Sequence, residues 1–126
     1  MKNIIITLLL LLSLNSFSQD TITSDKAKGY MDKMVYLVGK VASFKLASEG
    51  SFTNYINIDK PFPNNEFTVV ITNNYNEKLK VNIEDLKGKT VCVKGKISTY
   101  KNDPKQLPQI FNPISFVVIS PKKTKK

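Results

Sequence analysis

Two long stretches, Met34 to Phe44 and Lys89 to Tyr100, are rich in β-branched and aromatic residues, and each carries a glycine near its middle, Gly39 and Gly95. That composition reads as strand. A glycine inside a strand marks a bulge or sharp bend. One long strand bent at its middle can serve two parts of a closed barrel, so this pair supplies the corners that closure requires.

The intervening segments are shorter. Ala47 to Ser51 reads as a turn, Phe52 to Asp59 as a second strand stopped by Pro61-Phe62-Pro63-Asn64-Asn65, and Phe67 to Thr72 as a third. Between Asn74 and Lys87 the pattern changes: Leu79, Ile83 and Leu86 recur at helical spacing, and Gly88 is placed to end a short amphipathic helix. Asn102-Asp103-Pro104 turns the chain into a last strand, Gln109 to Ile119, which Pro113 marks as an edge or bulged strand. Ser24 to Lys33 can hold a weak helix capped by Ser24 or Asp25. The order β-β-β-α-β-β describes an all-β class with one short helix. It matches a five-stranded Greek-key OB-fold barrel whose helix lies between strands three and four. The competing β-sandwich usually has seven or more strands and no helix.

The chain ends read differently. Lys2, the apolar run Ile4 to Leu12 and the small polar stretch Ser13 to Ser18 have the layout of a secretory signal peptide. The run is shorter than the roughly 20 residues needed to span a bilayer. Residues 1–18 are therefore expected to be removed, residues 19–33 to form a leader, 34–120 the OB-fold domain and 121–126 a basic tail, in a periplasmic or secreted protein. Loss of 18 residues from 126 leaves 108 and lowers the net charge from +9 to +8, because Lys2 is lost with them.

Every basic residue is Lys; there is no Arg and no His. Such a balance favours polyanions, although lysines also shield strand edges, and without Arg the bidentate contacts of specific nucleic-acid readout are missing. The lack of His removes histidine-based general acid–base arrangements and His/Cys zinc sites, and there is no glycine-rich phosphate loop. No catalytic residue, metal or cofactor is expected. Cys92, the only cysteine, cannot form an intramolecular disulfide. Its strand setting favours a packed thiol, yet it shares parity with Thr90, Lys94 and Lys96.

Four stretches resemble the small bacterial OB-fold proteins of the nucleic-acid-binding, tRNA-anticodon-like group: Val38-Gly39-Lys40-Val41, Tyr55 to Asn64, Phe67 to Ile71 and Leu86 to Ile97. The resemblance implies the OB fold. It also implies oligonucleotide binding, more loosely, since OB-folds bind sugars and proteins as well.

In such a barrel the ligand face is the outward side of strands two and three. Alternation places Ile56 and Ile58 inward and Tyr55, Asn57 and Asp59 outward; on the third strand Phe67, Val69 and Ile71 face inward and Thr68 outward. Tyr55 either stacks on a base or packs against a loop or neighbouring strand, and Tyr100 has the same two readings. Lys45, Lys94, Lys96 and Lys101 either converge into an electrostatic groove, with Lys105 beside them, or scatter over a solvated surface. Phe52 either extends the platform or joins the core, and Phe62 is expected to plug the barrel end or staple its loop. The expected ligand set is thus Tyr55, Asn57, Thr68, Lys45, Lys94, Lys96, Tyr100 and Lys101. The expected partner is single-stranded nucleic acid or another polyanion, with an envelope protein or glycan as the alternative.

Overall fold

The computed structural model describes residues 20–119. The expected signal peptide, residues 1–18, and basic tail, residues 121–126, lie outside them. Seven strands form one mixed sheet: β1 (Thr21–Ile22), β2 (Met34–Lys45), β3 (Thr53–Ile58), β4 (Thr68–Thr72), β5 (Thr90–Thr99), β6 (Pro108–Phe111) and β7 (Ser115–Ile119). A helix, α1 (Asn73–Leu79), and 3-10 turns at Ser24–Tyr30 and Ile83–Asp85 complete the order. The strands run β1-β2-β3-β4-β6-β5-β7, and a further pairing of β2 with β5 turns the middle of that series into a partial ring.

The ring depends on bent strands. Met34 to Lys40 of β2 pair with β5, whereas Val41 to Lys45 pair with β3, and the register shifts between Val41 and Ser43. Glycine is required at Gly39 by close approach, because a Cβ there would stand 2.3 Å from Cγ2 of Ile58. The same holds at Gly95, where a Cβ would meet Cγ2 of Ile110 at 2.4 Å. Both mid-strand glycines thus mark the places where the sheet folds over its own side chains.

The five-strand expectation needs correction at both ends. The expected leader adds β1, which pairs in parallel with Tyr36 and Leu37 because Ile22 has a buried site to fill. The Ser24–Tyr30 turn has Thr23 at its N-cap position without a side-chain cap, and its Ala27 is fully buried. The expected last strand is split. Ile110 opposes Ile97 and Ser115 opposes Lys94, so the chain advances five residues while β5 advances three. Asn112, at φ 47°, turns out of register there, its N–H bonded to the Val70 carbonyl at 2.7 Å. Pro113 sits in this break, where its missing N–H costs no ladder bond. The expected helix between Asn74 and Lys87 is also interrupted: Lys80 adopts φ 57°, and Ile83 and Leu86 reach the core from a separate 3-10 turn.

The core lies inside the ring. Phe67, Ile56, Ile58, Ile71, Ile97 and Ile110 are fully buried, each contributing about 1.5–3 kcal/mol over exposure. Their alternation leaves the other face of β3, β4 and β6 turned outward.

Candidate functional site

Register assembles that outward face in rows. Lys45 opposes Tyr55, Tyr55 opposes Val70, and Val70 opposes Phe111, giving a row across β2, β3, β4 and β6. The adjacent row runs Ser43, Asn57, Thr68, Gln109 and Ser98. One row is mainly aromatic and apolar; its neighbour is wholly polar.

Two connections wall this surface. The Pro61–Glu66 loop brings Phe62 and Asn65, and the Tyr100–Leu107 turn brings Tyr100 and Asp103. Between them lie two adjoining cavities of about 580 and 520 Å³, both lined by Tyr55, Asn65, Thr68, Asp103 and Leu107. Together they form a groove carrying four exposed aromatic rings: Phe62 at one end, Tyr55 in the middle, and Tyr100 and Phe111 at the other. Exposed rings in a concave surface are costly to solvate unless something covers them.

The polar floor is internally bonded. The Asn57 amide N–H donates to Ser43 Oγ at 2.9 Å, and its Oδ1 accepts from Thr68 Oγ1 at 3.0 Å. Thr68 Oγ1 in turn accepts from Asn65 Nδ2 at 2.8 Å, and Ser43 Oγ accepts the Phe62 backbone N–H at 3.2 Å. Asp103 caps the far wall: its carboxylate accepts the N–H groups of Leu107 and Lys105, each at 2.9 Å, which hold its pKa below the ordinary aspartate value.

Of the residues expected at the site, Tyr55, Asn57, Thr68, Lys45 and Tyr100 line the groove. Asn57 is buried, with both its Oδ1 and Nδ2 engaged by neighbours. Lys101 is exposed in the turn beside Tyr100 without lining either cavity. Lys94 and Lys96 line neither cavity. They belong to the half of β5 that pairs with β2, and the Lys94 ammonium lies 5.3 Å from the Tyr36 ring. Lys105 lines the groove as well as a neighbouring cavity of about 520 Å³ that also holds Lys28 and Lys60. Lys60 is bonded to Glu66 at 2.8 Å, a contact that raises its pKa.

Phe62 does not plug the barrel: its ring is 74 % exposed, because its loop folds over the outside of the sheet. Phe52 is likewise outside the core, 72 % exposed. Phe111 was hidden in the sequence by the strand break at Asn112-Pro113, although its parity opposite to Ile110 is an outward signal. Cys92 is half-buried on the outer face among Val38 and Val117, and burial pushes its thiol pKa up. Among the described residues no helix is long and apolar enough to cross a membrane.

No family model matches the chain, and no curated protein is similar to it in sequence. In fold it is similar to an asparaginyl-tRNA synthetase of Entamoeba histolytica, solved with asparaginyl-adenylate, at TM-score 0.57 and 14 % identity over 84 % of this chain and 25 % of that one. The same enzyme without the adenylate gives TM-score 0.53 and 15 % identity with the same coverage. A Leishmania major protein described as an aspartyl-tRNA synthetase gives TM-score 0.54 and 8 % identity over 84 % of this chain and 22 % of that one. The chain thus spans about a quarter of the length of these enzymes, and at such identities the likeness is one of fold: OB-like, with β1 and β7 added to the ring.

Proposed function

We propose that this chain is a non-enzymatic binding module for single-stranded nucleic acid, held by stacking on aromatic rings and by lysine–phosphate contacts. The observation that carries the reading is the set of four exposed rings, Phe62, Tyr55, Tyr100 and Phe111, along one groove with Lys45 and Lys105 at its sides. Stacking of a base on such a ring is worth about 1–3 kcal/mol and tolerates any sequence. The likeness to part of two kinds of tRNA synthetase supports the same reading, as does the resemblance to the tRNA-anticodon-like group of OB-folds. On the reading of residues 1–18 as a signal peptide, the module works outside the cytoplasm, where its ligand is extracellular rather than housekeeping nucleic acid.

Titration with a fluorescent oligothymidylate should give micromolar or tighter binding at low salt. Affinity should fall with salt at a log–log slope of about −0.7 per phosphate contacted. Absence of binding at low salt rejects the reading.

One observation favours a second reading, an envelope interaction domain for a protein or glycan. Lys94 lies over Tyr36 in the half of β5 that pairs with β2 and β7, so the lysines do not form a single stripe around the groove. A specific partner retained from envelope extract at high salt, where phosphate contacts fail, would support this reading against the first.

A further inference from the structure

Asn57 is an unusual occupant of a β-strand. Asparagine is disfavoured in sheets, and a buried carboxamide without partners costs about 1–3 kcal/mol. Here it is 5 % exposed and bonded on two sides, to Ser43 of β2 and Thr68 of β4. Each of those neighbours holds a different end of the Pro61–Glu66 loop. Ser43 Oγ accepts the Phe62 backbone N–H, and Thr68 Oγ1 accepts from the Asn65 amide. The loop's other side-chain tie is the Lys60–Glu66 pair, whose side chains are 57 % and 52 % exposed, and such surface pairs contribute little.

Phe62 is 74 % exposed, so packing does little to hold it in place. The flanking prolines stiffen the loop itself, the backbone tether on Ser43 fixes it to the sheet, and Ser43 is in turn bonded to Asn57. We infer that Asn57 is a positioning residue that fixes the Pro61–Glu66 loop, and with it Phe62, as the wall of the groove, and thereby pre-organises one of the four stacking rings. This rests on the proposed binding reading for its consequence but not for its geometry. A wall ordered before the ligand arrives spares the ligand the conformational cost of ordering it.

The test has two arms. In the first, amide hydrogen exchange is measured in the full chain, in Asn57→Ala and in Ser43→Ala. The Phe62 amide is expected to exchange at least ten-fold faster in both variants, while the Val91 and Val93 amides of β5 and the Leu107 amide across the groove keep their rates. Ser43→Ala removes a single hydroxyl and decides the matter if Asn57→Ala fails to fold. Unchanged exchange at Phe62 overturns the inference, whatever binds the groove.

In the second arm, oligothymidylate affinity is compared across double-mutant cycles. Ser43→Ala should weaken binding about three- to ten-fold in the otherwise wild-type chain and in Tyr100→Ala, but less than two-fold in Phe62→Ala. Equal effects on all three backgrounds overturn the coupling to Phe62. If the wild-type chain binds no oligonucleotide, the proposed function fails and the exchange arm alone decides the role of Asn57.

Discussion

The sheet has two outward faces, and they differ in kind. The β3–β4–β6 face is concave, walled by two loops, and lined by four exposed rings over a polar floor whose members bond to one another. On the β2–β5–β7 face Tyr36 lies under Lys94, and Val38, Cys92 and Val117 form a cross-strand row. Charge is present on both. What distinguishes the groove is aromatic surface left uncovered, so positive charge alone does not locate the site in this chain.

That contrast can be broken or sharpened by paired substitutions. The largest difference is expected between two tyrosines. Tyr55→Ala should reduce oligonucleotide affinity by about five- to one-hundred-fold, the equivalent of one lost stacking contact. Tyr36→Ala on the opposite face should leave affinity within two-fold. Comparable losses from both would dissolve the distinction between the faces.

A smaller effect should separate the lysines. Replacing Lys45 and Lys105 together by Gln should flatten the salt dependence of binding by roughly the slope of two phosphate contacts. Replacing Lys94 should leave that slope alone. A slope that responds only to Lys94 would move the electrostatic contact to the outer face.

The smallest effects are pH responses, one on each face. On the groove side the Asp103 carboxylate is held below its ordinary pKa by the Leu107 and Lys105 N–H groups. A depressed carboxylate supports the native turn above its unfolded pKa, and that support is lost as pH falls through the lowered value. The Leu107 amide should therefore keep its exchange protection and chemical shift at pH 5 and lose them only well below pH ~4. On the outer face, burial raises the Cys92 pKa, so its alkylation rate should rise only at pH above the ~8.5 of a free thiol.

The alternation of β3 was legible, since inward Ile56 and Ile58 and outward Tyr55 follow from period two. So were the corner glycines, because a strand too long for one sheet must bend. What period cannot say is which half of a bent strand a residue occupies. Lys94 has the outward parity expected of it, but its part of β5 lies between β2 and β7 rather than at the groove. Asn57 has outward parity as well and is buried nonetheless, because a loop four residues further along the chain folds back over it. Phe62 was misread for the complementary reason: prolines on either side announce a rigid loop without saying on which side of the sheet it lies. The contacts that decide both residues are long-range.

β6 is the shortest strand of the ring and completes it with three residue pairs to β4 and three to β5. Its seam with β4 includes Val70 opposite Phe111, directly beneath the groove, and Tyr55 stands on the far side of Val70. A molecule stacked on Tyr55 and Phe111 at once therefore bridges the joint where the barrel is most thinly sewn. Grip and closure become one event: occupancy acts as a clasp on the fold, and the melting temperature should climb with ligand concentration by mass action.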